Sequence, residues 1–419
     1  MQAVILCGGK GKRLKSKYKS TPKVLIKFKS KSNLEILINN LYAQGINEIL
    51  LLTNYLDCKI KKEVEKKFKN KNIRILSEKI YSGTGGALKE SSNYIKKNFI
   101  LVLGDIYTNF NFKNFVKNCN KKKSYVVVHP NSHPDDSDTV ELSNKNKIIR
   151  VFKKKQINKP NLAMAGIYLL NKKILNFNKK KKNLDLTKDI LLKNKNLYAY
   201  NSIDYIKDYG SIKRLNTVRK DLKILQSNSR RKSRINSIFV DRDGVMNREL
   251  GVIKKMKNFD IFDDSLEAIN KLNRKQIPCF LVSNQAALSK KLISFKFFKK
   301  IHRRLEFKLS SKKAFFNDYL YCPNFKNLKF IEKNFNYFSK FRKPNPGMIL
   351  SLKKRYKLNL KKSYFIGDSD KDIATGIRAG CKTVLIRSPK LKDYKLDVKP
   401  DYVFNDLKKA INYLLRRSK

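Results

Sequence analysis

The chain lacks several features that would place it in particular classes of protein. No apolar run approaches the roughly 18 to 20 residues needed to span a bilayer, and the first residues pass from a short apolar stretch straight into glycines. We therefore expect neither membrane insertion nor a secretory signal. The six cysteines lie far apart, without the close pairs of a zinc ribbon or a redox motif. These absences predict a protein of the reducing cytoplasm.

Acidic residues are also scarce. Asp and Glu number 34 against 96 Lys and Arg, which gives a formal net charge of +62. Such a balance promotes binding to polyanions of any kind. Lysines occur in nearly every segment, however, so a compositional bias of the whole chain is the first explanation and a selected anion-binding surface the second. No nucleic-acid-binding motif accompanies the charge, and no specific nucleic-acid partner is expected.

The length and the pattern of apolar residues predict two α/β domains. The 419 residues exceed what one hydrophobic core usually serves. Short β-branched runs alternate with longer amphipathic segments in both halves, which is typical of mostly parallel sheets covered by helices. Apolar periodicity is lost where Ser, Asn and Arg accumulate after the first half. The sequence thus predicts domains over residues 1–222 and 237–419, joined by a linker over 223–236.

The stretch SIFVDRDGVMNREL, which begins at Ser237, places Asp241 and Asp243 directly after an apolar strand. The carboxyl edge of a parallel sheet is where such folds build their sites. Two neighbouring carboxylates repel each other unless a cation neutralises them, so a bound Mg²⁺ would make the arrangement favourable. Taken alone, the same pattern also fits an ordinary Asp-rich turn.

Three later segments supply polar groups at comparable positions. FLVSNQ ends a strand with Ser283 and Asn284, which can donate hydrogen bonds to phosphate oxygens. FRKPNPGM supplies Arg342 and Lys343 in a loop stiffened by prolines. YFIGDSDKD ends a third strand with Asp368. The order of these four segments makes a chance Asp-rich turn a poor explanation for the first.

The four motifs together resemble the haloacid dehalogenase superfamily, within it the histidinol-phosphatase and heptose-bisphosphate phosphatase branch. The resemblance covers about residues 236–415 and implies a Rossmann-like parallel sheet. It implies that Asp241 is the nucleophile and that Asp243 serves as acid and then as base. Ser283 and Lys343 would hold the transferring phosphoryl group.

The same resemblance implies one Mg²⁺ and a set of substrate contacts. Asp241, Asp243 through its backbone carbonyl, and Asp368 would bind the metal, while Asn284 and Arg342 would contact the substrate. The branch usually carries a Cys/His zinc loop before Arg-Lys-Pro.

Of the Cys/His zinc loop that this branch usually carries, only Cys322 remains. Asn324, Ser339 and Phe341 stand where further ligands would be expected. No zinc is therefore expected. An inactive relative of these phosphatases is the alternative, and the retained aspartates and lysine argue against it.

A glycine-rich loop, LCGGKGKRL, follows the first strand of the chain. Gly8, Gly9 and Gly11 let backbone N–H groups approach a phosphate chain without a Cβ in the way. The planar, charged guanidinium of Arg13 can donate paired hydrogen bonds to the same phosphate oxygens. No Gly-Lys-Ser/Thr follows, so the loop is not a Walker loop. The segment TPKVL then supplies Lys23.

This loop and TPKVL resemble the sugar-phosphate nucleotidyltransferases, which make NDP-sugars from an NTP and a sugar 1-phosphate. The resemblance implies a Rossmann-like mixed sheet. SGTGGAL resembles the family's nucleotide-contacting Gly-Thr-Ala-Gly-Ala segment, and Glu78 just before it would be a base or ribose contact. The nucleotide-binding residues implied are Leu6, Gly8, Gly9, Gly11, Glu78, Gly83, Gly85 and Gly86.

Two further aspartates complete this set. LVLGD ends a strand at Asp105, and IKDYGS supplies Asp208; the resemblance assigns both to a second Mg²⁺ between the α-phosphate and the sugar phosphate. The sugar-phosphate oxygen would attack the α-phosphorus and expel pyrophosphate. Arg13 and Lys23 would stabilise the added negative charge, and Gly166 would contact the sugar.

Joined in one chain, the two resemblances imply consecutive steps of a pathway. D-glycero-D-manno-heptose 1,7-bisphosphate would lose its 7-phosphate, and the heptose 1-phosphate would then receive a nucleotidyl group, with GTP as the expected donor. The partners expected are NTP and sugar phosphates, and a homo-oligomer is left open.

Two alternatives remain. Lys154 and Met164 depart from the family pattern in the sugar half of the site, so the same chemistries on another sugar, such as mannose 1-phosphate, stay open. A nucleic-acid end-healing enzyme would need a kinase loop ending in Gly-Lys-Ser/Thr, which the sequence lacks.

Overall fold

The structure is a computed structural model, and it describes residues 1–419 except 15, 79–80, 132–133, 144, 153–158, 177–182, 195, 230–234, 325–338, 388–396 and 419. Lys154 and residues 230–234 of the expected linker therefore lie outside the described residues. The chain divides into two compact units, of which the first comprises residues 1–129, 140–151 and 164–220. The second comprises residues 130–139, 152–163 and 221–419. No helix in the described part of the chain is long and apolar enough to cross a membrane.

The strands and helices of the amino-terminal half follow the expected alternation. The strands are β1 (Gln2–Leu6), β2 (Lys27–Phe28), β3 (Lys31–Ser32), β4 (Glu48–Thr53), β5 (Ile73–Ser77), β6 (Asn98–Leu103), β7 (Ile106–Thr108), β8 (Ser124–His129), β9 (Thr139–Leu142), β10 (Ile148–Phe152), β11 (Ala163–Asn171), β12 (Leu197–Asn201) and β13 (Ile206–Asp208). The helices are α1 (Asn33–Ala43), α2 (Asp57–Phe68), α3 (Gly83–Glu90), α4 (Phe112–Asn118) and α5 (Ile212–Ser229).

A nine-stranded mixed sheet is the core of this half. Its main path is β10-β9-β11-β6-β1-β4-β5, and β8 lies between β11 and β12. Strands β4, β1 and β6 are parallel, whereas β11 runs antiparallel to β6. The central strands are nearly continuous apolar runs, as expected where helices cover both faces.

A small antiparallel pair, β7 with β13, brings distant parts of the chain together at one edge of the fold. Asp208 lies opposite Ile106 in this pair. The next residue, Tyr209, donates its backbone N–H to the carbonyl of Asp105 at 3.0 Å. The two aspartates that the sequence assigned to one metal therefore lie at the same end of this short ladder, Asp105 just before β7 and Asp208 as the last residue of β13.

The second unit is built on a parallel sheet. Its strands are β14 (Ser237–Val240), β15 (Cys279–Asn284), β16 (Asp318–Cys322), β17 (Ser363–Gly367), β18 (Lys382–Ile386) and β19 (Tyr402–Phe404). Its helices are α6 (Asp263–Arg274), α7 (Phe295–Ser311), α8 (Gly347–Tyr356), α9 (Asp370–Ala379) and α10 (Leu407–Arg417).

The strand order β16-β15-β14-β17-β18-β19 puts β14 at the centre, between β15 and β17. All neighbouring strands in this sheet are parallel. The residues that follow β14, end β15 and follow β17 therefore meet at one edge, as the sequence predicted for Asp241, Ser283 and Asp368. The predicted α/β class, with one mixed and one parallel sheet, is confirmed.

Helix α5 continues past the point where the sequence analysis placed the start of the linker. It spans Ile212–Ser229 and buries Leu215 and Val218 one turn apart. The remaining residues of the helix, 219–229, include no glycine or proline, and the Arg, Lys, Leu and Gln among them are favourable in helices. Loss of a regular apolar pattern therefore did not mark the end of this helix.

Helix α7 buries an acid and a base next to each other. His302 Nε2 lies 3.8 Å from Glu306 Oε2, and His302 Nδ1 lies 2.8 Å from the hydroxyl of Tyr321. Burial raises the pKa of Glu306 to about 7 and lowers the pKa of His302 to about 4. Between these two values both groups are neutral in the folded protein.

The raised pKa of Glu306 predicts that Glu306→Gln stabilises the second unit at alkaline pH. An unfolded glutamate ionises near pH 4.5, whereas folded Glu306 resists ionisation up to about pH 7. The free energy of unfolding therefore falls by up to about 3 kcal/mol as the pH rises from about 4.5 to about 7. Thermal unfolding should show the variant more stable than the parent at pH 8 and equal below pH ~4.5. An equal difference at both pH values would contradict this.

Candidate active sites

A cavity of about 580 Å³ lies at the carboxyl end of β1 in the first unit. It brings together eight of the residues that the sequence assigned to the nucleotide, the catalytic groups or the metal. These are Leu6, Gly8, Gly9, Gly11, Lys23, Glu78, Gly83 and Asp105.

The glycine loop is close to its neighbours, which explains the need for glycine. A Cβ on Gly8 would lie 3.1 Å from the Cβ of Asn54 and 3.3 Å from Glu78 Oε2. Gly11 has a φ of +61°, and a Cβ there would lie 3.1 Å from the side chain of Lys23. The loop therefore packs against both the strand-end acid and the lysine, with its backbone facing the cavity.

A buried tyrosine fixes the lysine and the first aspartate. Lys23 Nζ lies 3.0 Å from Asp105 Oδ2. The hydroxyl of Tyr209, which is fully buried, lies 3.1 Å from the carbonyl oxygens of both Lys23 and Gly104. One hydroxyl thus connects the two loops that carry the charged pair. The sequence analysis did not identify Tyr209, because nothing local indicates its two distant partners.

Asp105, Asp208 and Arg13 converge on Gly210. A Cβ on Gly210 would lie 3.1 Å from Arg13 Nη2, 3.5 Å from Asp105 Oδ2 and 3.6 Å from Asp208 Oδ1. Arg214 Nη1 donates to both carboxylate oxygens of Asp208, at 2.5 and 2.6 Å. Arg214 was also missed from the sequence, although its place in the first turn after the IKDYGS motif was a usable signal. The structure thus brings these predicted groups together at one edge of the sheet.

The glycines of SGTGGAL have different neighbours. Gly83 lines the cavity, but a Cβ on Gly85 would lie 2.9 Å from Ile190 and one on Gly86 would lie 2.4 Å from the hydroxyl of Ser82. Both therefore permit close packing of α3, although glycine is unfavourable inside a helix. Neither Gly85 nor Gly86 is among the described residues that line the cavity.

Gly166, the predicted sugar contact, lies on β11 with a φ of +75°. A Cβ there would lie 3.1 Å from the side chain of Leu103. Leu103 lines the cavity and Gly166 does not. Gly166 thus lies one layer behind the cavity wall in this structure.

Lys343 is the centre of the site in the second unit. Its Nζ lies 2.8 Å from Asp241 Oδ1 and 2.6 Å from Asp372 Oδ1, and its side chain is only 3% exposed. Burial alone would lower the pKa of Lys343, but the two carboxylates raise it above its ordinary value. The lysine therefore stays charged inside the fold. Asp372, which the sequence analysis gave no role, is the second partner of this cation.

Three carboxylates form a cluster at the same sheet edge. Oxygens of Asp241, Asp368 and Asp372 all lie within 4.8 Å of one another. Burial, with the neighbouring acids, raises the pKa of Asp241 to about 7 and that of Asp368 to about 9. Gly244 has a φ of +78°, and a Cβ there would lie 1.8 Å from Asp368 Oδ2. Such a set of oxygen donors, close and poorly solvated, suits a hard divalent cation.

Asp243 points to a different set of partners. Arg242 Nη2 donates to both of its oxygens at 2.8 and 2.9 Å, and Asn247 donates to Oδ1 at 3.1 Å. Gln285 Nε2 donates to Asp243 Oδ2 at 2.9 Å and lies 3.0 Å from Ser283 Oγ. Gln285 therefore connects two predicted catalytic side chains. The side chain of Asp243 is not part of the three-carboxylate cluster.

Asn284 holds the loop that carries Lys343. Asn284 Nδ2 donates to the carbonyl of Lys343, and the N–H of Lys343 donates to Asn284 Oδ1, both at 3.1 Å. Arg342 Nη1 donates to the carbonyl of Asn324 at 2.9 Å. Cys322 is buried at the end of β16. Most of the segment that would hold a zinc loop, residues 325–338, lies outside the described residues.

Comparison with known families agrees with both sites. The nucleotidyl transferase family matches residues 2–223, slightly more than half of the chain. The chain belongs to this family. A second family, described as HAD-hydrolase-like, matches residues 340–410. This nucleotidyl transferase thus carries a haloacid-dehalogenase-like region after its family domain, and both resemblances seen in the sequence are confirmed.

Curated relatives of the two regions are separate proteins. The chain is 34% identical over 176 residues to the D-glycero-alpha-D-manno-heptose 1-phosphate guanylyltransferase of Campylobacter jejuni, covering 42% of this chain and 78% of that protein. It is 28% identical over 185 residues to the D-glycero-D-manno-heptose-1,7-bisphosphate 7-phosphatase of Thermosynechococcus vestitus, covering 42% and 94%. The corresponding 7-phosphatase of Escherichia coli K12 is 27% identical over 172 residues, covering 41% and 89%.

The contact between Gly244 and Asp368 predicts a specific effect of Gly244→Ala. Because the new Cβ would overlap Asp368 Oδ2, the carboxylate must move, and hydrolysis of a generic phosphomonoester should fall by about a hundredfold or more. Gly251→Ala is the matched control, since Gly251 has a φ of +76° but nothing within 4 Å of its Cβ position. That variant should show only backbone strain of about 1 kcal/mol in thermal unfolding. Equal loss of hydrolysis in both variants would show that strain, not displacement of Asp368, is responsible.

Proposed function

We propose that the chain catalyses two consecutive steps of nucleotide-sugar synthesis. The second unit removes the 7-phosphate of D-glycero-D-manno-heptose 1,7-bisphosphate. The first unit then transfers a guanylyl group from GTP to the heptose 1-phosphate and releases pyrophosphate. One observation carries this proposal: a single chain holds both polar sets, and for each region at least one relative is named for the corresponding step.

The contacts of Asp241 support its role as nucleophile. Lys343 Nζ and the N–H of Arg242 both bind Oδ1, at 2.8 and 2.7 Å, which leaves Oδ2 for attack on the 7-phosphorus. The bond between phosphorus and the sugar oxygen breaks, and an aspartyl-phosphate forms. Lys343 and Ser283 stabilise the phosphoryl oxygens.

Asp243 moves the protons in both half-reactions. It gives a proton to the departing sugar oxygen and then takes one from the water that attacks the aspartyl-phosphate. Arg242 and Gln285 orient its carboxylate toward Ser283 and away from the three-carboxylate cluster. Asp241, Asp368 and the backbone carbonyl of Asp243 would hold Mg²⁺, with Asp372 beside them; the ion would supply positive charge for the in-line displacement.

The cavity of the first unit fits the second reaction. The backbone of the glycine loop binds the triphosphate, and Lys23 and Arg13 stabilise charge on the α-phosphate as the sugar-phosphate oxygen attacks. Asp105 and Asp208, which both lie beside Gly210, would hold a second Mg²⁺. Pyrophosphate leaves with its bridging oxygen.

The two alternatives raised by the sequence have less support. Relatives of both regions are named for heptose substrates, which does not favour mannose 1-phosphate. The matched families include no nucleic-acid kinase.

All six cysteines are free, which fits the expected reducing cytoplasm. The expected partners there are small-molecule nucleotides and sugar phosphates.

Two single substitutions should separate the two activities. Asp241→Asn removes the nucleophile and should lower phosphate release from the heptose bisphosphate at least about a thousandfold, with pyrophosphate release from GTP and heptose 1-phosphate unchanged. Asp105→Asn should lower pyrophosphate release about a hundredfold or more and leave phosphate release unchanged. Each variant is thus the folding control for the other. Loss of both activities in either variant, or of neither, would contradict the assignment.

A further inference from the structure

Arg214 is an unusual residue for its position. It lies in the first turn of α5, where the partial positive charge of a helix amino terminus disfavours a cation. Its backbone N–H donates to the hydroxyl of Ser211 at 3.4 Å, while its Nη1 lies 2.5 and 2.6 Å from the two oxygens of Asp208. The charge of Arg214 is therefore balanced by an aspartate that the sequence assigned to a metal.

The two acids of the first unit face more positive charge than they can balance. Lys23 Nζ lies 3.0 Å from Asp105 Oδ2, and Arg13 Nη2 converges with both acids beside Gly210. Together with Arg214, these side chains bring three cations to two carboxylates. The remaining charged residues of the described cavity wall are Lys10, Lys12 and Glu78. The site therefore carries net positive charge before any metal binds.

The second unit has the opposite balance. There one buried cation, Lys343, faces a group of three carboxylates. Among the described residues, no third carboxylate joins Asp105 and Asp208 in a comparable group. A divalent cation that entered the first site alone would be repelled by the excess cations and would have few ligands. Mg²⁺ in such a site usually completes its coordination with substrate phosphates, so this site needs the nucleotide to hold the metal.

The pair between Arg214 and Asp208 is of a kind that a phosphate can replace. The side chain of Asp208 is 39% exposed and that of Arg214 is 14% exposed, and a partly solvated ion pair is weak. A triphosphate carries more negative charge than one carboxylate, and guanidinium groups donate strong hydrogen bonds to phosphate oxygens. The guanidinium can therefore exchange its carboxylate partner for a phosphate oxygen.

We propose that Arg214 couples metal binding to nucleotide binding in the first unit. It occupies Asp208 while the site is empty and passes to a phosphate oxygen when the nucleotide binds, which frees both oxygens of Asp208 for the divalent cation. The inference rests on the proposed function, because that function places a nucleoside triphosphate and Mg²⁺ in this cavity. It adds an order of binding and the residue responsible for it.

The first test measures metal and nucleotide binding separately. The full chain would carry Asp368→Asn, which removes one carboxylate of the second unit's cluster, so that the binding measured reports mainly on the first unit. Mn²⁺ replaces Mg²⁺ because electron paramagnetic resonance follows the free ion. Mn²⁺ alone should bind this parent chain weakly, and in calorimetry Mg²⁺ should raise the affinity for GTP, relative to EDTA, by about tenfold or more.

Arg214→Met in the same background tests the residue itself. The substitution removes the guanidinium and keeps an apolar side chain of similar length. Because Asp208 then lacks its cation, Mn²⁺ alone should bind about tenfold or more tightly than in the parent chain. GTP in EDTA should bind about threefold or more weakly, since a positive charge is lost. The factor by which Mg²⁺ raises the affinity for GTP should therefore fall.

Arg219→Met is the matched control. Arg219 lies on the same helix and donates to the hydroxyl of Tyr18 at 3.0 Å and to the carbonyl of Lys27 at 3.4 Å. The substitution thus removes an equal charge from α5 without removing the cation of either aspartate. Binding of Mn²⁺ alone, and the effect of Mg²⁺ on GTP affinity, should stay within about twofold of the parent chain.

Three results would overturn the inference. Tight binding of Mn²⁺ to the parent chain without GTP, unchanged by Arg214→Met, would show that Arg214 does not restrain the metal. Equal effects of Arg214→Met and Arg219→Met would assign the change to overall charge. Weaker binding of both Mn²⁺ and GTP to the Arg214→Met chain would give Arg214 a structural role, because only exchange between Asp208 and phosphate moves the two affinities in opposite directions.

Turnover distinguishes the inference from the proposed function. The expected binding pattern, without pyrophosphate release from GTP and heptose 1-phosphate, would retain the role of Arg214 and reject the reaction. Pyrophosphate release by a chain whose Mn²⁺ affinity is the same with and without GTP would retain the reaction and reject the role of Arg214. Absence of any GTP binding would reject both.

Discussion

The repulsion between carboxylates is the constraint on which both sites depend. In the second unit, Asp241, Asp368 and Asp372 lie within a few ångströms of one another and are largely shielded from water. The buried cation of Lys343 bridges two of them and offsets part of this repulsion. Burial and, after it, the neighbouring acids still raise the pKa of Asp241 and Asp368, so the lysine does not fully compensate for them. The protein alone thus leaves an electrostatic need that a divalent cation would meet.

The first unit meets the same constraint with more exposed groups. Lys23 pairs with Asp105 and Arg214 with Asp208, so each aspartate has its own cation. Tyr209 and the β7–β13 ladder hold the two pairs beside Gly210. Each pair is partly solvated, which weakens its net contribution to stability. These pairs therefore matter more for positioning the acids than for the stability of the fold.

Much of this arrangement could be predicted from the sequence, because it depends on strand ends. An apolar run followed by Asp241, Ser283 or Asp368 indicates the carboxyl edge of a parallel sheet, and the sheet order puts those strands side by side. Tyr209, Arg214, Gln285 and Asp372 were not predicted, since each acts through a contact that only the folded chain creates. Gly85 and Gly86 show the opposite case: a motif glycine that was assigned to the nucleotide has helix packing as its immediate constraint.

The account's central claim is that one chain carries out both steps in order, and phosphorus NMR follows both directly. The full protein would be given Mg²⁺ and D-glycero-D-manno-heptose 1,7-bisphosphate first, and GTP afterwards. We expect the 7-phosphate signal to disappear with release of inorganic phosphate while the 1-phosphate signal remains, and a sugar diphosphate signal to grow only after GTP is added. Loss of the 1-phosphate instead, or no diphosphate signal after GTP, would contradict the account.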